Sequence, residues 1–265
     1  MKKVLVIGAN SYISQRLNEY ILQKYRSEIF IDLVNAKDGS WRQKDFKNYN
    51  VVLHLAALVH LKEKDDMESF YYEINHKLTV EVAEKAKRSM IKHFIFMSTE
   101  AVYGQRTGCI TKETKPVPIT YYGKSKLAAE KDIMKLQDKN FIITVVRSPM
   151  VYGDKCNGNY ARLVKLAKFT PFFPEYHNKR SMIHIDNLTK FLANLIFNES
   201  SGGYFHPQDE EYVDTCELFK KIRKSMGKKT ILFSCLNGLI RFLIEKDISV
   251  FQKIFGDLIY DKSLV

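Results

Sequence analysis

Cysteine is scarce: four residues in 265 (Cys109, Cys156, Cys216 and Cys235), far apart and without a Cys-x-x-Cys pair. That spacing supports neither a disulfide framework nor a thiolate metal site. No metal is expected, and the four read as reduced thiols of a cytoplasmic protein. No apolar run reaches the ~20 residues of a membrane span. The opening stretch, Met1 to Gly8, is too short for a secretion signal and reads as a first strand. Internal repeats and low-complexity tracts are also missing.

Positive charge is plentiful, with 42 Lys and Arg against 30 Asp and Glu, a net +12. Nucleic acid, an anionic membrane surface and a phosphorylated small molecule are the partners such a balance suits. Most of the cations alternate with acids on helical stretches such as Glu81 to Arg88, the pattern of a solvated helix face, and no nucleic-acid partner is expected. The exception is 220–229, where six Lys and Arg precede the apolar stretch Ile231 to Ile244. Packing onto the chain's own core is the expectation for 220–244, with contact to a membrane surface as the other reading.

Over residues 1–150, short β-rich runs (Val4–Ile7, Ile29–Val34, Val51–Leu55, Phe94–Met97, Phe141–Arg147) alternate with helical patterns at 12–25, 67–90 and 122–138. Near-continuous apolar strands separated by helices predict an α/β fold, a Rossmann-like doubly wound parallel sheet covered on both faces. Ligands of such sheets bind beyond the carboxyl ends of the strands. Gly8, His54 to Ala57, Ser98, Thr99 and Arg147 all fall at those ends. Residues 151–265 read as a small substrate lobe, with 183–206 returning to the sheet. Within it Gly158 to Phe169 is predicted helical and Pro171 to Pro174 a break, and Asp186 is predicted to cap a helix running to Asn198.

Ser98-Thr99-Glu100-Ala101-Val102-Tyr103-Gly104 closes one apolar strand, and Tyr122 and Lys126 follow four residues apart on a predicted helix. That spacing projects phenol and ammonium from one face. A lysine cation beside a phenol favours phenolate and lowers its pKa, which suits proton transfer with a substrate hydroxyl. Gly8-Ala9-Asn10-Ser11-Tyr12-Ile13-Ser14 lies between strand and helix, where a pyrophosphate rests on a helix N-terminus. An ordinary strand-to-helix turn reads the same way. At the end of the second strand Asn35 stands where an acid usually holds the cofactor ribose, with Lys37 and Asp38 beside it, so NAD and NADP both stay open.

Taken in order, these pieces resemble the extended short-chain dehydrogenase/reductase family, in particular its nucleotide-sugar epimerases and dehydratases. The matching segments are Gly8 to Ile13, His54-Leu55-Ala56-Ala57, Asn75, Ser98-Thr99 with Val102-Tyr103-Gly104, Tyr122-x-x-x-Lys126, Arg147-Ser148-Pro149 with Val151-Tyr152-Gly153, and Arg180 to Asp186. The resemblance implies Thr99, Tyr122 and Lys126 as catalytic residues, with Thr99 on the sugar's 4-oxygen, Tyr122 as acid/base and Lys126 on the nicotinamide ribose. It implies an NAD site lined by Gly8, Asn10, Ser11, Tyr12, Ile13, Asn35, Asp38, His54, Ala56, Ala57, Asn75 and Ser98, together with Tyr122 and Lys126. Glu100, Met150, Asn157, Asn159 and Arg180 would face the substrate, with Arg180 as a bidentate fork for its diphosphate. The implied substrate is a UDP-sugar or related nucleotide-sugar, and the implied assembly is a homodimer through the helices at 67–90 and 122–138.

Departures from the family narrow this. Only the first of three loop glycines is kept, with Ser11 and Ser14 in place of the others. Met150 replaces an Asn, and Glu100-Ala101 replaces the acidic pair with which the 4,6-dehydratases eliminate water, which removes dehydration from the expected activities. The expectation is epimerisation at C4 through a 4-keto intermediate, of the kind used in surface polysaccharide synthesis. An NADPH-dependent 4-keto-sugar reductase and a non-catalytic dinucleotide- or partner-binding protein on the same fold are the other readings.

Overall fold

The computed structural model describes residues 1–59, 65–198 and 202–264. In chain order its elements begin β1 (Lys2–Ile7), α1 (Tyr12–Lys24), β2 (Ile29–Val34), β3 (Val51–His54), α2 (Glu68–Tyr72), α3 (Leu78–Arg88) and β4 (His93–Thr99). They continue with β5 (Gly108–Ile110), α4 (Tyr121–Met134), β6 (Ile142–Ser148), β7 (Met150–Tyr152), α5 (Asn159–Phe169), β8 (Phe172–Pro174), β9 (Met182–His184) and α6 (Ile185–Phe197). The last are β10 (Gly203–Phe205), α7 (Thr215–Ser225), β11 (Ile231–Phe233), α8 (Asn237–Glu245), α9 (Ser249–Phe255) and β12 (Leu258–Tyr260).

The chain divides into two compact units. The first comprises 1–104, 116–148 and 185–207, and the second 105–115, 149–184 and 208–265. The division is therefore not a single cut near residue 150: 185–207 groups with the first unit, in keeping with the expected return of 183–206 to the sheet, and 105–115 groups with the second.

In the first unit, among the described residues, strands lie side by side in the order β2-β1-β3-β4-β6-β10, all parallel. The central strands are apolar on both faces because helices cover both. Val4 to Ile7, Val51 to Leu53 and Phe94 to Phe96 are fully buried, and each such side chain contributes about 2 kcal/mol. Register sets the functional edge, with Ile7 beside Val34 and His54, His54 beside Phe96, and Ser98 and Thr99 beside Arg147 and Ser148. Every carboxyl end thus arrives on one side.

Helix α6 starts at Ile185, two residues earlier than a cap at Asp186 implies, which places Asp186 in its first turn. There Asp186 pairs with Arg16 of α1 at 3.0 Å, at the positive end of the helix dipole. Lys2 Nζ donates to the carbonyls of Ile196 and Phe197 at the opposite end of α6.

The second unit has its own core around Phe173, Phe219, Ile222, Ile240 and Phe255, with Phe173 stacked on Phe219 at 4.2 Å. The predicted break at 171–174 contains β8, which pairs in parallel with β11. Two prolines in four residues hid it, and a partner far along the chain supplies the pairing.

Candidate active site

Thr99 ends β4 and caps the short turn Glu100–Tyr103, its hydroxyl accepting from the Ala101 amide at 3.2 Å. Tyr122 stands in the first turn of α4, which Thr120 caps by accepting from the Gly123 amide at 3.0 Å. The Thr99 and Tyr122 hydroxyls are hydrogen-bonded to each other. Gly123 is what lets the two segments meet. A Cβ there would lie 2.5 Å from the Ala101 carbonyl oxygen and 3.0 Å from Pro118 Cβ. Sequence reasoning passed over this residue, although a glycine inside an otherwise regular helix signals a close approach.

Lys126, four residues on, is fully buried. Its Nζ donates to the Met97 carbonyl at 2.8 Å and sits 4.4 Å above the Phe96 ring. Burial pushes its pKa down to about 7, with the Glu130 carboxylate working in the opposite direction. Tyr122 departs from the expectation. Burial pushes its phenol up to about 12, the Thr99 hydrogen bond pulls it down, and Tyr71 and Glu100 push it up. Lys126, which donates to the Met97 carbonyl, is not among the groups that set this balance. In the free protein Tyr122 is a neutral phenol.

Behind the pair runs a buried polar chain that sequence reasoning left unassembled. Ser98 donates to Glu130, and Arg147 holds the same carboxylate through Nη2 at 2.7 Å and Nε at 3.2 Å. Arg147 Nη1 donates to the Tyr103 hydroxyl at 2.8 Å, which lies 2.7 Å from His206 Nε2. His206 is neutral at pH 7. Its pKa is pushed down to about 4 by burial and by Arg147. An arginine in an otherwise apolar strand, and a glutamate four residues after Lys126 on the same helix face, were the available signals.

The loop from Gly8 to Ser14 is built from its own polar groups. Ser11 caps α1 by accepting from the Ser14 amide at 3.0 Å. Ser14, fully buried, donates toward the carbonyls of Gly8, Ala9 and Ser11 at 2.7–3.0 Å. Its hydroxyl therefore organises the turn and does not face outward to a phosphate, as the sequence suggested. Gly8 has φ +121°, and a Cβ would meet the Ala56 amide nitrogen at 2.8 Å, so only glycine fits there. Asn10 is exposed, with Tyr12 and Ile13 half-buried in the first turn of α1.

Asn35 Oδ1 accepts from the Lys37 amide at 3.1 Å. Asp38 takes the Ser40 amide and hydroxyl at 3.0 and 2.7 Å, so its expected ribose contact competes with its own turn.

His54 and Asn75 are placed differently from the expectation. His54 has no exposure. It stacks on Phe94 and Phe96, with Nε2 3.0 Å from the Thr79 hydroxyl. It is a core residue and does not line the cleft. Asn75 is also fully buried, in the π-helical turn Glu73–Lys77 that joins α2 to α3. It accepts from the Leu58 amide at 2.7 Å and donates to the Leu58 carbonyl and Ser125 Oγ. It thereby clamps the loop after β3, beyond Ala56 and Ala57, to α4.

Burial pushes His54 down to about 3. The unfolded chain would protonate it near pH 6.5, so stability is complete above that value and is lost as pH falls through the window down to about 3. His206 acts likewise down to about 4. Each contributes a slope of about 1.4 kcal/mol per pH unit within its window. Thermal melts from pH 7 to pH 5 should show Tm falling steadily, with a shallower fall in His54→Phe. A flat profile would contradict the neutral buried assignment.

In the second unit, Met150 is half-buried on β7 opposite Met182, and Asn157 and Asn159 are exposed at the start of α5. Arg180 is not placed as the sequence implied. It is buried, and its Nη1 donates to the carbonyls of Gly256 (3.0 Å) and Gln252 (3.3 Å) at the end of α9. The negative end of a helix dipole attracts a guanidinium. The structure brings Thr99, Tyr122, Lys126, Ser98 and the Gly8 loop to one sheet edge, and it gives His54, Asn75 and Arg180 internal roles.

Comparison with known proteins agrees with this geometry. A family model described as the NAD dependent epimerase/dehydratase family matches residues 4–196. The chain is 33% identical over 255 residues to a UDP-glucose 4-epimerase of Vibrio cholerae, covering 86% of this chain and 77% of that protein. It is 25% identical over 245 residues to N-acetyl-alpha-D-glucosaminyl-diphospho-ditrans,octacis-undecaprenol 4-epimerase of Escherichia coli O157:H7, covering 85% and 73%. The fold matches UDP-glucuronic acid 4-epimerase of Bacillus cereus, solved with NAD, at a TM-score of 0.73 and 20% identity over 98% of this chain and 90% of that one. With the parallel sheet order, the hydroxyl pair at its carboxyl edge and a family model spanning most of the chain, the protein belongs to the NAD dependent epimerase/dehydratase family.

Proposed function

We propose that the protein epimerises C4 of a nucleoside-diphosphate sugar, UDP-linked, through a transient 4-keto intermediate. The observation that carries the reading is the Thr99–Tyr122 hydroxyl contact at the carboxyl edge of β4. The residues present suit a dinucleotide. The close-packed Gly8 turn opens onto the N-terminus of α1, where a pyrophosphate would be held by Gly8 to Ile13. Asn35 would take the ribose hydroxyls, and Lys126 the nicotinamide ribose. NAD, when bound, supplies reversible hydride transfer at C4.

Thr99 orients the 4-hydroxyl, and Tyr122 exchanges its proton directly or through Thr99. A phenol at about 12 holds that proton firmly in the free protein, so phenolate becomes accessible as a base only once a positive charge beside it lowers that pKa. The exposed amides of Asn157 and Asn159 are the groups proposed for the substrate diphosphate, and Glu100, adjacent to Thr99, for the sugar.

Tyr122→Phe should lower turnover on a UDP-sugar panel by roughly a thousandfold, with nucleotide retention unchanged. Unchanged turnover would refute the acid/base assignment. Steady consumption of NADPH with a 4-keto sugar, without epimer formation, would replace epimerisation by reduction. A purified protein that retains and binds no nicotinamide nucleotide would point to the non-catalytic reading.

A further inference from the structure

The second unit carries an apolar face that its own core does not cover. Phe169 and Phe172 are 73% and 55% exposed, and Ile231 is 50% exposed. Phe172 and Ile231 are register partners across β8 and β11, so their side chains stand together on one face of that ribbon. Lys228 Nζ donates to the Lys168 carbonyl, which ties 228–231 to the end of α5. The chain then leads from β11 into α8, whose outer face presents Leu236, Leu239 and Phe242 at 42%, 53% and 53% exposure while Ile240 is buried. The spacing i, i+3, i+6 is one helical stripe. The sequence suggested that this stretch packs onto the core. Only its inner face does.

The surrounding charge identifies the occupant. Residues 160–175 and 220–247 hold three and eight Lys and Arg, against the three acids Glu175, Glu245 and Asp247. Of these, Arg223 turns inward to the carbonyls of Ala167 and Thr170, and Lys165, Lys168, Lys224, Lys228, Lys229 and Arg241 are exposed. Lys168 and Lys246 lie over the rings of Phe169 and Phe242. A patch meant for a second copy of this chain would gather like charges against each other, which is unfavourable. Apolar side chains ringed by cations suit a surface that is anionic outside and apolar beneath. No helix among the described residues is long and apolar enough to cross a membrane. Contact on the surface, and not insertion across it, is therefore the mode.

We propose that this face, from α5 and the β8–β11 ribbon to α8, docks the protein on an anionic phospholipid bilayer. The inference does not depend on the reaction assigned above.

The test is co-sedimentation of the full chain with vesicles of phosphatidylcholine alone and of phosphatidylcholine with phosphatidylglycerol in equal parts. Binding is expected to the mixed vesicles, at least tenfold stronger than to the neutral ones, and to weaken as salt is raised. The double variant Leu239→Glu/Phe242→Glu should lose at least tenfold of that binding. Lys165→Glu/Lys229→Glu, at exposed positions away from any core contact of α8, should lose it to a similar degree and covers the case in which the first variant fails to fold. Unaltered far-UV circular dichroism melts establish folding. No binding to mixed vesicles, equal binding by folded variants, or salt-insensitive binding to neutral vesicles would overturn the proposal. So would concentration-dependent self-association that the variants abolish while vesicle binding stays absent.

Discussion

Replacing Gly123 by alanine is expected to lower kcat on a UDP-sugar by roughly a hundredfold while leaving a folded protein, because displacing a reacting group by about 1 Å can cost that much. The new methyl would stand 2.5 Å from the Ala101 carbonyl oxygen. That atom belongs to the backbone of the turn fixed by Thr99, so no flexible side chain can move aside. The start of α4 must shift instead, taking Tyr122 away from Thr99. Overpacking costs about 1–3 kcal/mol, offset by the ~1 kcal/mol that alanine gains over glycine in a helix, so the melting temperature should fall only by a few degrees. The combination of a large kinetic loss with a small thermal one is diagnostic. A variant with full kcat would show that the contact between α4 and the turn does not position the Tyr122 hydroxyl.

Lys126→Met should move activity and stability in opposite directions. Activity falls at least roughly a hundredfold, since the group proposed to hold the nicotinamide ribose is gone. Stability rises, because the wild-type protein buries an ammonium whose pKa burial has driven down to about 7. The loss of the hydrogen bond to the Met97 carbonyl offsets part of the relief. A net gain of about 2 kcal/mol is expected, equivalent to a Tm rise of roughly 5 °C.

The pH dependence fixes the sign. Below about pH 7 the lysine is protonated in both folded and unfolded chains, and its burial cost is complete. Between about pH 7 and the ordinary lysine value the folded chain releases the proton first, so wild-type stability climbs. The advantage of the variant is thus greatest at pH 6–7 and shrinks toward pH 10. A variant that melts lower than wild type at pH 6.5 would contradict the assignment of a costly buried cation.

The apolar runs at 4–7, 51–55 and 94–97 made the parallel sheet legible, because strands covered on both faces have no polar alternation to hide them. Thr99 and Tyr122 were legible for a related reason, since topology carries strand ends and helix starts to one edge. Contacts spanning many residues were not. The Glu130–Arg147 pair joins a helix to a strand, and local sequence says nothing about which buried charge meets which. Arg180 was misjudged because its partners are backbone carbonyls of α9, groups that every residue carries. The Tyr122 pKa was misjudged for its direction, as spacing placed Lys126 on the right helix face but could not show how deeply the phenol is buried. The π-helical turn at 73–77 has neither glycine nor proline to mark it.

The serines at 11 and 14 bear on the entropy of binding. A loop with glycines at those positions would lack the bonds that these hydroxyls make. Here the turn is already cross-linked by hydroxyl-to-carbonyl bonds, and serine leaves the unfolded chain fewer conformations to lose than glycine does. Ordering has been completed during folding, so a ligand that fits meets a preformed cradle at little conformational cost. A ligand of slightly different shape meets a rigid one. For the dinucleotide proposed above, the substitution would exchange adaptability for readiness.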